Sequence, residues 1–147
     1  MKRSLIVATA VLATLLMGST AALADSPHVI GSTSTTVSGN SITFSASVAG
    51  LGNATTATFD WDGTVDVSSR CYTKSGNKPQ AANKQETINV DQTTTSSVDR
   101  NGRATASLTI SPLSTLTCPG GQHVVIESVT YDITLSFQGD ALATFTS

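Results

Sequence analysis

Three aspartates lie within seven residues, Asp60, Asp62 and Asp66, with Gly63 among them. Calcium loops use such Asp-rich, glycine-containing segments because a hard cation takes several oxygen ligands around a tight turn. The spacing departs from the EF-hand pattern, since Thr64 stands at the fifth position and no Glu closes the loop. We therefore interpret the three carboxylates as solvated groups on a strand face and expect no metal and no cofactor. Weak Ca²⁺ binding stays open as the alternative.

Catalytic groups are sparse in this sequence. His28 and His123 are the only histidines, and neither stands at a spacing that supplies a metal partner or a Ser or Cys nucleophile. The Gly-x-Ser-x-Gly turn that strains and exposes a catalytic serine is absent from the sequence. We therefore expect no catalytic residues and predict that the protein is not an enzyme.

The two cysteines, Cys71 and Cys118, form the clearest pair in the sequence. An even cysteine count in an exported chain predicts a disulfide. Closing a loop of this length removes denatured-state entropy equivalent to about 4 kcal/mol in the chain-entropy model. We expect reduction to loosen the fold substantially.

Two aromatic residues, Trp61 and Tyr72, are the candidate binding residues. Exposed aromatic side chains on a β-sandwich can stack on sugar rings or anchor a protein partner. The competing interpretation of Trp61 is a core residue, and the pattern of the surrounding strand decides between the two.

The N-terminus has the three parts of a secretory signal peptide: Lys2-Arg3, an apolar run from Leu5 to Met17, and Ala22-Leu23-Ala24. The expected organisation is a signal peptide at residues 1–24 and a single domain at 25–147. The mature chain keeps six Lys and Arg against ten Asp and Glu, a net charge of −4. Dispersed cations in an acidic chain disfavour nucleic acid and anionic membrane surfaces. We expect a secreted, extracellular protein without a membrane anchor after signal cleavage.

Strand-like alternation with a period of two dominates the mature chain, in which about a third of the residues are Ser or Thr. Residues 42–48 and 129–137 alternate apolar and polar side chains, as a strand with one buried face requires. Between Phe59 and Cys71 the odd positions form one apolar stripe. This stripe predicts either a single strand bent at Asp62-Gly63, with Trp61 buried, or a hairpin that exposes Trp61.

Two connections follow from the same pattern. A three-residue loop, Arg100-Asn101-Gly102, pairs Val98 with Ala104 in a hairpin and predicts Gly102 at positive φ at an exposed tip. Residues 74–86 show no period and are interpreted as a long loop, which is uncommon in compact domains. Seven or so short strands predict an all-β fold, an antiparallel immunoglobulin-like sandwich of about seven strands with one disulfide.

The motifs Gly50-Leu51-Gly52-Asn53, Gly76-Asn77-Lys78-Pro79 after Cys71, and Cys118-Pro119 resemble those of short secreted bacterial β-sandwich proteins of unassigned function. The resemblance spans most of the mature chain. It departs at Ser75, where a second glycine is expected, and at His123-Val124, where an aromatic residue often opens the terminal strand. The resemblance implies a bacterial source and no particular site residues.

Export, hydroxyl-rich strands and the disulfide favour a secreted structural or interaction module of the cell envelope or extracellular matrix, with an unknown protein or glycan partner. Two alternatives stay open. One is a polysaccharide-binding module that uses Trp61 and Tyr72 as exposed aromatics, and the other is a secreted protease inhibitor that uses the 74–86 loop.

Overall fold

The structure, a computed structural model, describes residues 26–76 and 79–147. The predicted signal peptide at 1–24 lies outside the described residues. The described residues form seven strands and no helix. In chain order the strands are β1 (His28–Ser38), β2 (Ser41–Ala49), β3 (Thr56–Thr73), β4 (Pro79–Ser97), β5 (Ala104–Ile110), β6 (Gln122–Phe137) and β7 (Asp140–Thr146).

The strands form two sheets, in the orders β1-β2-β5 and β4-β3-β6-β7, and every pairing is antiparallel. These orders are those of an immunoglobulin-like sandwich in which an additional strand, β4, flanks the sheet of the third, sixth and seventh strands. The all-β sandwich predicted from the sequence is confirmed.

The stripe from Phe59 to Cys71 belongs to a single strand, β3, with Trp61 buried, so the interpretation as one continuous strand is confirmed and the hairpin is wrong. The backbone geometry at position 63 explains why β3 needs a glycine near its middle. Its φ is +142°, and a Cβ built on it would lie 2.0 Å from the carbonyl oxygen of Asp132 on the neighbouring strand β6. Any side chain at this position would separate β3 from β6.

The core lies between the two sheets and consists of the apolar side chains that alternation directs inward. Phe44 on β2 and Phe59 on β3 are fully buried, and β5 alternates buried and exposed residues along its whole length. Phe44 contacts the rings of Tyr131 and Phe145 edge-on, at centroid distances of 5.1 and 5.5 Å. The second sheet thereby packs against the centre of the first.

The predicted long loop at 74–86 is wrong from Pro79 onward, where the chain is a strand. Strand β4 begins at Pro79 and pairs with β3. Pro79 lies opposite Tyr72, and Asn83 lies opposite Arg70. Backbone pairing sets this part of the strand, and its mixed polar sequence gives no period to detect. The protease-inhibitor hypothesis depended on that loop and therefore loses its structural basis.

The three-residue loop predicted at 98–104 is present, but the hairpin predicted around it is wrong. Gly102 has φ of +69°, and the N–H of Asp99 donates to the carbonyl of Arg103 at 2.7 Å, as the three-residue loop requires. However, β4 and β5 belong to different sheets, so the segment is an arch between sheets and not a hairpin. Gly102 is buried at this arch, and its carbonyl accepts a hydrogen bond from the N–H of Leu51.

The predicted disulfide is confirmed, with Cys71 and Cys118 joined and their Cα atoms 5.7 Å apart. Cys71 lies near the end of β3, whereas Cys118 lies in the connector of residues 111–121 between β5 and β6. Leu113 of this connector is buried and its N–H donates to the carbonyl of Asn40. The connector therefore closes one end of the sandwich and places the start of β6.

Candidate functional site

Trp61 is a core residue, with 1% of its surface exposed. Its indole Nε1 donates a 2.8 Å hydrogen bond to the hydroxyl of Thr94 on β4, and its ring lies 5.8 Å from that of Phe145. The indole N–H, which needs a partner when buried, is therefore satisfied within the chain. Trp61 cannot act as a glycan platform.

Tyr72 lies on the outer face of the four-stranded sheet, near the disulfide. Its hydroxyl donates to a carboxylate oxygen of Glu127 at 3.0 Å, and the same oxygen lies 3.6 Å from Nε of Arg70. The hydrogen bond to Glu127 raises the pKa of Tyr72 above its ordinary value, with desolvation adding to the effect. His123 stands opposite Tyr72 on β6 and is exposed. The candidate binding residue Tyr72 thus belongs to a small polar cluster beside β6.

The three aspartates do not converge. Asp60, Asp62 and Asp66 lie on the outer face of β3 and all three are exposed. At about 3.3 Å per residue, Asp60 and Asp62 stand roughly 6.6 Å apart and Asp62 and Asp66 roughly 13 Å apart, so the three form a row along the strand. Asp66 accepts a 2.5 Å hydrogen bond from Thr87. In the part of the chain that the structure describes, no three His, Cys, Asp or Glu side chains are grouped to hold a metal ion.

A polar network that sequence reasoning missed, buried only at Ser69 and Ser114, attaches the 111–121 connector to β4. Glu86 accepts hydrogen bonds from the hydroxyl and N–H of Thr115, at 2.7 and 3.0 Å, and from the Ser114 hydroxyl at 2.8 Å. Lys84 lies 3.0 Å from the same carboxylate. The hydrogen bond from the Thr115 hydroxyl, that from Lys84 and that from the Thr115 N–H lower the pKa of Glu86 from 4.5 to about 2.

Ser114 carries the network into the core. Its single hydroxyl proton goes to Glu86, so the buried Ser69, 2.7 Å away, donates its own proton to Ser114. The N–H and carbonyl of Ser114 are both bonded to the side-chain amide of Asn40. The hydrogen bonds of Ser114 and Thr115 join the connector to β3, to β4 and to the turn at Asn40, so we interpret the network as structural. The widely spaced sequence positions give no signal that would have revealed it.

The feature that points to binding is the free edge of β6. Strand β7 pairs with β6 only from Asp132 to Phe137, and Ser147 extends that contact to Tyr131 through two hydrogen bonds. Strand β6 itself begins ten residues earlier than Asp132, at Gln122. Within residues 26–76 and 79–147, no strand pairs with this edge of β6 from Gln122 to Thr130.

An apolar depression, which we call the edge groove, runs along this free edge. It is bounded by Val37 and Gly39 from β1 and the turn after it, and by residues 125–129 of β6. Val37 is 48% exposed, and among the described residues it is the one large apolar side chain classed as exposed. Val125, Ile126 and Val129 are only partly buried. Unpaired backbone and exposed apolar side chains therefore occur at one place.

The three-stranded sheet presents a different surface, which we call the hydroxyl face. Its outward positions align across the strands in rows, such as Ser34, Ser45 and Ser107. Thr43 and Thr109 of the next row share a hydrogen bond of 2.9 Å. The outward side chains at the centre of this sheet are all hydroxyl-bearing and uncharged: Ser34, Thr36, Ser38, Ser41, Thr43, Ser45, Ser47, Thr105, Ser107 and Thr109.

The chain matches no protein-family model, no curated protein and no solved structure. Among the residues that the structure describes, none forms a helix with the length and apolar character needed to cross a membrane.

Proposed function

We propose that the protein is a secreted structural or interaction module of the cell envelope or extracellular matrix, and that it binds its partner through the free edge of β6 and the edge groove. The observation that carries this proposal is the stretch from Gln122 to Thr130, where β6 has no neighbour on one side. The signal-peptide pattern supports export. The disulfide between Cys71 and Cys118 is compatible with an extracellular location.

Strand addition is the binding mode that this geometry favours. An unpaired sheet edge offers a row of N–H and C=O groups, and an extended segment of another chain can pair with them. Main-chain hydrogen bonds then supply affinity, while pockets for alternate side chains supply specificity. In this protein the edge groove supplies such a pocket, because Val37 of β1 and residues 125–129 of β6 line it together, beside the position of an added strand.

The structure also supports the rigidity that such a site needs. The free part of β6 starts directly after the 111–121 connector, which the disulfide, Asn40 and Glu86 attach to three different strands or turns. A binding edge whose start is fixed in this way loses little further freedom when a partner binds, which limits the entropic cost of association.

A matched pair of variants tests the proposal. Val37→Lys places a charge in the edge groove, whereas Thr144→Lys places the same charge on the exposed outer face of β7, away from both candidate surfaces. Purified protein is mixed with isolated cell envelopes of the producing organism, and the bound fraction is measured after sedimentation. We expect Val37→Lys to lose binding and Thr144→Lys to retain it. Equal binding by both variants, or no binding by the unmodified protein, would contradict the proposal.

The hydroxyl face supports a second candidate, binding to a neutral polysaccharide by hydrogen bonds. Its uncharged hydroxyl rows favour an uncharged, hydroxyl-rich partner. Because Trp61 is buried, such a partner would bind to these hydroxyl groups and not to the indole ring. Ser107→Asp on this face and Thr144→Asp on the outer face of β7 form the matched pair. Sedimentation with insoluble neutral polysaccharides should be weakened by the first change only. Failure of the unmodified protein to sediment would remove this candidate.

A further inference from the structure

We infer that the partner at the free edge of β6 is a second copy of this chain, joined by antiparallel pairing of β6 with β6 about a twofold axis. This inference rests on the proposed function, because it names the occupant of the same site. The resulting assembly would have one continuous sheet, in the order β4-β3-β6 from one copy followed by β6-β3-β4 from the other.

The direction of the backbone groups supports pairing at this edge. Tyr131 directs both its N–H and its C=O to the outer side of β6, where Ser147 bonds to them. Backbone groups alternate in direction along a strand, and residues 129–131 are in regular register with β3, so those of Val129 point to the same outer side. An added strand would therefore follow the line that β7 and Ser147 already begin.

The side chains of the edge complement themselves. Val124, Val125 and Ile126 form a β-branched run, and an antiparallel pairing centred on Val125 places Val124 opposite Ile126 of the other copy. Cross-strand pairs of β-branched residues stabilise sheets. A twofold contact requires a self-complementary surface, and this uncharged run meets that requirement. The register shift in β6 lies beyond the run, opposite Ser68 and Ser69, so residues 122–126 stay regular.

Charge does not oppose this contact. Glu127 is the one charged residue between Gln122 and Thr130, and it is already paired with Arg70 and hydrogen-bonded to Tyr72 of its own chain. Two copies can therefore approach without bringing lone carboxylates together. The edge of β4, by contrast, carries Lys84 and Asp91, the kind of charges that block edge-to-edge pairing.

The edge groove gives each copy an apolar contact for the other. An added strand directs alternate side chains inward, beneath β1, where Val37 is exposed. In a twofold assembly this contact occurs twice, since each copy supplies both a Val37 and an added strand. Burial of two exposed valines on association explains why the chain keeps an apolar side chain at this position.

Sedimentation equilibrium of the exported form, purified from culture supernatant, tests the inference. We expect a concentration-dependent dimer whose dissociation constant rises about tenfold or more in Val37→Lys and is unchanged in Thr144→Lys. Val124→Pro is a second variant, because it removes an N–H from the free edge. It should also weaken the dimer, and its circular dichroism spectrum checks that the sandwich is retained.

The outcomes separate this inference from the proposed function. A monomer at all concentrations, or a dimer that neither variant weakens, overturns the second copy as the occupant. If the protein is monomeric but envelope binding is still lost in Val37→Lys alone, the proposed function stands with a different partner. If the protein is monomeric and envelope binding is unchanged in Val37→Lys, both the second copy as occupant and the proposed function are overturned.

Discussion

Truncation of Trp61 should be the most damaging single substitution in the core. The indole is 1% exposed, packs against Phe145 and donates a hydrogen bond to Thr94. Replacement by alanine removes the buried ring and leaves a cavity, at a cost of about 3–5 kcal/mol for residues of this kind. This cost is a large share of the 5–15 kcal/mol or so that stabilises a typical domain. At roughly 4 °C for each kcal/mol, the melting temperature should fall by about 12–20 °C.

Urea unfolding followed by circular dichroism measures this cost, since the variant has no tryptophan to report. Thr94→Val isolates the hydrogen bond and should cost about 1–3 kcal/mol, because it leaves a buried indole N–H without an acceptor. Tyr72→Ala, on the outer face, is the control and should cost about 1 kcal/mol or less. In the unmodified protein the emission should be blue-shifted and resist acrylamide. A loss below about 1 kcal/mol for Trp61→Ala, or quenching as strong as that of free tryptophan, would refute the assignment of Trp61 to the core.

Three further outcomes are expected. Gly102→Ala should destabilise the fold by about 2 kcal/mol or more in thermal unfolding, because its Cβ would add a contact of 2.9 Å with the Gly52 carbonyl to the strain of positive φ. Gly39→Ala, also at positive φ but with open space around it, should cost only about 1 kcal/mol, and equal losses would contradict the contact. The Glu86 carboxylate has a lower pKa in the folded state, so its contribution to stability is present above its ordinary pKa of 4.5 and is lost as the pH falls toward about 2. Acid titration of Glu86→Gln should show a smaller loss over that range, and an identical acid profile would argue against the network. Mass spectrometry after alkylation without reductant should show no added label, and reduction should lower stability by about 4 kcal/mol; two labels on the unreduced protein would contradict the disulfide.

The parts of the fold that the sequence predicts are those in which one face is buried. Alternation identifies the inward side of β2, of β5 and of residues 129–137 in β6. The odd-numbered stripe of β3 places Trp61 in the core. Each of these strands must keep apolar side chains on one side because that side faces the opposite sheet. The disulfide is equally predictable, since two cysteines allow only one pairing within a chain.

The elements that sequence reasoning missed lack this asymmetry. Strand β1 carries Ser and Thr on both faces through much of its length, and the start of β4 is polar on both faces, so no period marks either. The arch at Gly102 fails for a different reason. The same three-residue loop satisfies a hairpin and a crossing between sheets, and only the pairing of β5 with β2 decides between them.

The candidate site could not be predicted from the sequence for a related reason. The free edge of β6 exists because β7 pairs with it only over residues 132–137, and that difference between two strand lengths is a property of the assembled sheet. The sequence signals that point to it are the β-branched run from Val124 to Ile126 and a valine, Val37, on an otherwise hydroxyl-rich strand. Neither signal indicates an interface until the two are found side by side.

Amide hydrogen exchange at two adjacent residues tests the central claim most directly. The N–H of Val124 points to the free edge, because Val124 pairs with Cys71, which has the same direction along β3 as Val65, the partner of Tyr131. The N–H of Val125 points into the ladder with β3, so the two amides form an internal comparison. In dilute protein we predict slow exchange at Val125 and fast exchange at Val124, with Val124 becoming slow as the concentration rises and the second copy binds. Equally slow exchange at both residues in dilute protein would mean that the edge is already covered. Fast exchange at Val124 at every concentration, together with a dimeric mass, would contradict pairing through β6.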